Sequence, residues 1–128
     1  MKIVDLHVTV VGAPWRELTF VELTTDDGLT GLGEVRMVNK TETLVACLRE
    51  LGPRYVIGTD PFEVERLAWH FGRGEYGRPG EVSQSALSAF DMACWDLMGQ
   101  ALGAPIHRLI GGRFRDRIPA YANGWYQA

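Results

Sequence analysis

Asp26-Asp27-Gly28 sits between two β-rich runs, Thr19 to Thr25 and Leu29 to Val35, and this arrangement narrows the possible folds more than any other feature. Glycine tolerates positive φ and aspartate side chains bond their own turn, so the three residues predict a tight reversal between adjacent antiparallel strands. Upstream, Val4, Leu6, Val8 and Val10 alternate with Asp5, His7 and Thr9 across Ile3 to Val11. That two-residue period predicts a half-buried strand with the valines and Leu6 inward. Gly12-Ala13-Pro14 ends it, and Trp15 to Leu18 reads as a short loop leading into the second strand. The first 35 residues therefore predict a three-stranded antiparallel meander.

After the meander the period changes from two to nearly four. Asn39 followed by Glu42 has capping-box spacing, and Leu44, Leu48 and Leu51 recur on one helical face before Gly52-Pro53, where the helix is expected to stop. Asp60-Pro61 repeats the start signal, with Glu63 at the third position and Val64, Leu67, Ala68 and Phe71 as the inner stripe. Gly72, Gly74, Gly77 and Gly80 then make regular structure costly and predict a mobile loop. Ser83 is the expected cap of a longer, central helix carrying Ala86, Phe90, Ala93, Leu97 and Ala101 inward, ended by Gly103 and Pro105. Ile106 to Ile110, a Gly111-Gly112 turn, an arginine-rich connector and a strand-like run, Ile118 to Ala122, follow. Strands first and helices afterwards is an α+β order, with helices packed on one side of the sheet.

A chain of 128 residues with 46% apolar and 23% charged residues suits one ordinary globular domain. Its net charge of -3 offers no field for phosphate backbones, so nucleic acid is not an expected partner, although only Lys2 and Lys40 among the 13 basic residues are lysines. No apolar stretch is long enough for a membrane helix and the N-terminus lacks a signal-like segment, which predicts a cytoplasmic protein without a membrane partner. Cys47 and Cys94 show neither metal-ligand nor C-x-x-C spacing and read as buried thiols.

Chemistry is sparse. Gly28-x-x-Gly31-x-Gly33 reverses the dinucleotide-binding spacing and spans a hairpin, so Gly31 and Gly33 are expected to admit a closely packed backbone instead. Asp91 and Asp96 lie five residues apart, about 140° around a helix, and do not make an acid/base pair. Caps, salt bridges to the arginines or contacts to a neighbouring domain are the expected roles. His7, His70 and His107 have no partners at ligand spacing, and no nucleophile motif is present. Arg108, Arg113, Arg115 and Arg117 surround Leu109, Ile110, Phe114 and Asp116, a mixture that suits an inter-domain or inter-subunit contact.

Three segments together carry a family resemblance. The hairpin Val21-Glu-Leu-Thr-Thr-Asp-Asp-Gly-Leu-Thr-Gly-Leu-Gly-Glu34 resembles the strand-turn-strand of enolase-superfamily capping domains, and Ile57-Gly-Thr-Asp-Pro61 resembles the linker opening their middle helix. Ser85-Ala-Leu-Ser-Ala-Phe-Asp-Met-Ala-Cys-Trp-Asp-Leu-Met-Gly-Gln-Ala-Leu-Gly-Ala-Pro105, then Leu109-Ile-Gly-Gly112 and Arg115-Asp-Arg117, resembles the most recognisable stretch of the mandelate racemase/muconate lactonizing type. Pro14-Trp15-Arg16 and the ending Ile118-Pro-Ala-Tyr-Ala-Asn-Gly-Trp-Tyr126 look most similar to galactonate dehydratase-like sugar-acid dehydratases.

The resemblance implies an α+β capping domain over residues 1–117 and the start of a (β/α) barrel, otherwise absent, over 118–128. In such enzymes magnesium sits on barrel carboxylates, a barrel lysine or histidine removes the proton α to a substrate carboxylate, and the metal stabilises the enediolate. The family's Lys-x-Lys has no counterpart here, so no catalytic or metal-ligating residue is assigned, no cofactor is expected in this chain, and magnesium belongs to the parent enzyme. The chain is then expected to be a truncated piece, inactive alone. What the resemblance leaves to it is a lid: Trp15 and Arg16, with the Arg36 to Lys40 loop, are the expected substrate-capping residues for a carboxylate-bearing sugar acid. A homo-oligomer is expected, and a non-enzymatic oligomerisation or binding module is the competing reading.

Overall fold

The computed structural model describes residues 1–122. Strands β1 (Ile3–Ala13), β2 (Arg16–Thr25) and β3 (Thr30–Val35) form one antiparallel sheet in the order β1-β2-β3. Helices α1 (Thr41–Tyr55), α2 (Val64–Gly74), α3 (Glu81–Leu102) and the single turn α4 (Ile106–Leu109) follow. The α+β expectation holds, and none of the described residues forms a barrel.

The β2–β3 turn forms where its sequence directs it. Gly28 adopts φ 87°, and the Thr25 N–H donates to the Leu29 carbonyl at 2.9 Å. Thr24 and Leu23 then pair with Thr30 and Gly31. Val21, Leu23 and Val35 consequently face the helices and are buried. The first hairpin is tighter than expected: Ala13 pairs with Arg16, so only Pro14 and Trp15 form the turn and Arg16 to Leu18 belong to β2.

Strand β1 departs from simple alternation. The register slips between Ile3 and Asp5, making Val4 an extra residue. A bulge of this kind shifts every side chain before it to the other face. Ile3 is therefore fully buried and Val4 is 53% exposed, while Val10 is exposed too. Ile3 also gains hydrogen bonds outside the sheet, donating to the Thr59 carbonyl at 2.9 Å and accepting from the Gly58 N–H at 2.8 Å.

The helices keep their expected faces but shift at their ends. Helix α1 buries Leu44, Leu48 and Leu51, yet Lys40 is its N-cap and no side chain caps it. Asn39 adopts φ 58°, which removes it from capping position, so the box with Glu42 does not form. Pro53 lies inside the last turn rather than stopping the helix; only two residues follow it, and the N–H groups of Val56 and Ile57 both reach the Gly52 carbonyl. Asp60 accepts from the Phe62 N–H at 3.0 Å in a local turn, which delays α2 to Val64. Leu67 and Phe71 face inward as expected, whereas Ala68 and, in α3, Ala101 are exposed, with no described element covering them. Helix α2 also takes in Gly72 and Gly74.

Gly80, not Ser83, is the N-cap of α3, and Gly103 closes it in the left-handed conformation. Ala86, Ala89, Phe90, Ala93 and Leu97 are buried in the core, with Ala89, Ala93 and Leu97 against the glycines of β3. Methyl groups added at Gly31 and Gly33 would overlap the carbonyl oxygens of Ala93 and Ala89. The two glycines therefore do let a helix backbone approach the sheet. Asp96, expected in caps, salt bridges or inter-domain contacts, instead accepts from the Leu32 N–H at 2.9 Å, and the Gln100 amide donates to the Thr30 carbonyl at 2.7 Å. Helix α3 thus covers the face of β3 and also occupies its free edge.

Beyond α4 the described residues bury little. Phe114, Ile118 and Tyr121 are more than 80% exposed. The expected strand over 118–122 does not form, because no strand among the described residues lies beside it to supply a ladder. The rest of the expected barrel start, 123–128, lies outside the described residues.

Candidate substrate-capping cleft

The two segments singled out in the sequence lie side by side. The tight β1–β2 turn projects Trp15, which is 57% exposed, at one end of the sheet. Arg16 opens β2, its guanidinium carbon 6.0 Å from the Trp15 ring centroid. Because Thr19 pairs with Val35, the chain leaving β3 runs directly beside this turn. Buried Met37 anchors that segment, and the Lys40 N–H reaches back to the Met37 carbonyl at 3.3 Å. The Lys40 ammonium also meets Glu81 at 3.5 Å, fastening the segment to the start of α3. Arg36, Val38 and Asn39 are left exposed between these anchors.

A cleft of about 480 Å³ results, lined by Trp15, Arg16, Glu17, Arg36, Asn39 and Glu42 among others. It holds both signs of charge. Among the described residues neither Arg16 nor Arg36 has a carboxylate within ion-pair distance. The arrangement can present guanidinium donors and carboxylate acceptors to a small polar molecule, with Trp15 as an apolar wall. Sequence reasoning missed Glu17 and Glu42 as cleft residues. Glu17 was placed in a loop and Glu42 in a cap, and only the true strand and helix starts bring them here.

A larger cleft, about 850 Å³, shares no residue with the first and lies between the N-terminus, the end of α1 and α2. Its wall is a bonded network: Glu75 accepts from Arg54 at 3.1 Å and from the Tyr55 hydroxyl at 2.9 Å. Burial, then the bond to Glu75, raises the Tyr55 pKa.

The remaining candidates stay apart. His7, His70 and His107 are exposed, and His70 meets the Trp69 ring edge-on at 5.1 Å. Asp91 is pushed up chiefly by burial. Cys94 is buried, which pushes its thiol up to about 12, and Cys47 is half-buried and also raised by desolvation; both are free thiols. Arg113 pairs with Asp116 at 3.3 Å, and Arg115 lies 5.7 Å from the Phe114 ring centroid. Among the described residues no group of three or more His, Cys, Asp or Glu side chains could hold a metal ion.

Meander, helical layer and end cleft define a two-layer α+β domain. Residues 3–111 match the N-terminal domain of the mandelate racemase/muconate lactonizing enzymes, and the chain belongs to that family within the enolase superfamily. It is 36% identical over 126 residues to a D-mannonate dehydratase of Caulobacter vibrioides, covering 97% of this chain and 31% of that protein. It is 37% identical over 122 residues to a D-galactonate dehydratase of Variovorax paradoxus, covering 95% and 31%. A mandelate racemase/muconate lactonizing enzyme from Jannaschia superposes with TM-score 0.87 at 31% identity, covering 99% of this chain and 36% of that one. An enolase from Pantoea ananatis, crystallised with D-gluconate and Mg, gives TM-score 0.83 at 30% identity, covering 90% and 28%. The chain thus spans about a third of the length of the curated relatives it matches, and corresponds to the N-terminal domain of sugar-acid dehydratase-like enzymes. No helix among the described residues is long and apolar enough to cross a membrane.

Proposed function

We propose that this chain is the substrate-capping domain of a magnesium-dependent sugar-acid dehydratase or racemase, and that it has no such activity by itself. The observation that carries this reading is the cleft formed where the Trp15-Arg16 turn lies against the Arg36–Lys40 segment. Both come from short loops at one end of a rigid sheet, which is where a scaffold places residues that vary with the ligand. In the whole protein a barrel would begin within residues 118–128 and supply the metal site and the base that removes the proton α to the substrate carboxylate. The present residues would close the site: Trp15 excludes water, and Arg16 donates to a substrate oxygen. We place the protein in the cytoplasm as a homo-oligomer.

The DNA after codon 128 tests this reading. An open frame entering a barrel with Lys-x-Lys and spaced acidic residues is expected, and a stop codon would sink it. In that longer protein Trp15→Ala and Arg16→Ala should raise KM for the sugar acid by roughly tenfold, the loss of about 1.4 kcal/mol of binding. Turnover of D-galactonate or D-mannonate by the 128 residues alone would instead place the chemistry in this chain. The exposed Phe114, Ile118 and Tyr121 favour a second reading, a domain whose role is assembly.

A further inference from the structure

We infer that the capping cleft selects a sugar acid with a carboxylate at each end, Arg16 and Arg36 receiving the carboxylate remote from the reacting carbon. This rests on the capping reading above.

Arg16 is the first residue of β2 and Arg36 the first after β3. Thr19 pairs with Val35, so Arg16, which precedes that pair on β2, and Arg36, which follows it after β3, lie at the ends of neighbouring strands and line one cleft. Alternation puts them on one side: Thr19, Val21, Val35 and Met37 are buried towards the helices, whereas Arg16 and Arg36 are exposed. Glu17 falls on the opposite side from Arg16 along β2. Lys40, the third cation of the cleft, is held by Glu81. Arg16 and Arg36 are the cleft cations that no carboxylate engages among the described residues.

Two guanidinium groups on one rim exceed what a terminal CH2OH can use, since a hydroxyl is a neutral and weak acceptor. A carboxylate offers two oxygens and a full charge, and guanidinium forks bond such oxygens in pairs. Glu17 and Glu42 also line the cleft, and their oxygens suit the donors that a polyol backbone carries between two acid ends. The cleft therefore offers cations for a terminal carboxylate and acceptors for the hydroxyls before it. In the whole protein, where a monoacid's one carboxylate would be held at the reacting carbon, its far end would satisfy the second set and leave the first unused.

D-galactonate and galactarate share six carbons and differ in whether C6 is an alcohol or a carboxylate, so they isolate the point. Each is offered at constant ionic strength to the longer protein, in which a barrel would hold the reacting-end carboxylate, and each is titrated into the 15N-labelled 128-residue chain, following the backbone amides and arginine Nε–H signals. The expected result is that galactarate shifts Arg16, Arg36 and Asn39 in the chain and binds the longer protein about tenfold tighter than galactonate. Two equivalent carboxylates alone give about a twofold statistical preference. Arg16→Gln and Arg36→Gln should each reduce the ratio towards that value while the folded spectrum is retained. Equal affinity for both acids, or a tenfold ratio that survives the double variant, overturns the diacid inference and leaves the capping reading intact. If neither acid moves a cleft resonance, the capping reading falls, and this inference with it.

Discussion

At Gly33 a hydrogen in place of a methyl group decides how closely α3 lies on the sheet. The added carbon would meet the backbone oxygen of Ala89, and a helix backbone cannot rotate aside as a side chain can. Gly33→Ala must lift α3 or bend β3 where Ala89 lies against the strand. Over-packing of this kind costs about 1–3 kcal/mol, and a urea-unfolding midpoint lowered to match is expected. By contrast Gly12, which has open space around its α-carbon, should accept alanine with little change. Equal effects at the two positions would show that backbone freedom, not close approach, is what Gly33 supplies. The role of Gly31 and Gly33 was legible in the sequence because two glycines at strand spacing leave one face bare. The burial of Ile3 was not, since nothing in Ile3-Val4-Asp5 announces a bulge, and the exchange of Val4 for Ile3 depends on the pairing register with Thr24 and Thr25.

At the scale of elements, α3 does two jobs with one surface. Its alanines cover β3, and Asp96 and Gln100, one turn apart, bond the Leu32 N–H and the Thr30 carbonyl on the strand's unpaired edge. Sheet edges left open invite pairing with other chains, and covering them is a common protection. Asp96→Ala should therefore cost about 1 kcal/mol, and should also speed hydrogen exchange at the Leu32 amide more than at Gly31, which faces β2. A uniform increase along β3 would mean that the variant loosened the helix as a whole. The helical periods of α1, α2 and α3 were legible because burial repeats every three to four residues. Their starts were not: Asn39, Asp60 and Ser83 are all good capping residues, but Asn39 turns into positive φ, Asp60 caps a turn three residues early, and Ser83 falls inside α3. The shifted start of α1 hid Glu42 from the cleft and the early start of β2 hid Glu17, whereas Trp15 and Arg16 could be named because the turn that presents them is written in Pro14 and the strand patterns beside it.

For the whole molecule the contrast lies between a sheet–helix body with a dense core and a C-terminal connector that adds almost nothing to it. Phe71 is fully buried against Tyr55, with ring centroids 5.1 Å apart, while Phe114 is 93% exposed beside Arg115. The same substitution should therefore have very different consequences. Phe71→Ala removes a buried ring whose space the neighbouring helices cannot refill, and is expected to cost about 3–5 kcal/mol. Phe114→Ala removes a ring already in water and should change stability by less than about 0.5 kcal/mol. Thermal unfolding of both variants, followed by circular dichroism at several protein concentrations, checks the pair. Phe114→Ala should also reduce any concentration dependence of the transition, because a ring that is exposed, as Ile110, Ile118 and Tyr121 are, contributes to association rather than to the body of the domain. A large loss of stability in Phe114→Ala at high dilution would show that the connector packs on its own domain. A loss seen only at high concentration would show that it packs on another copy, as the reading of this region as an assembly surface requires.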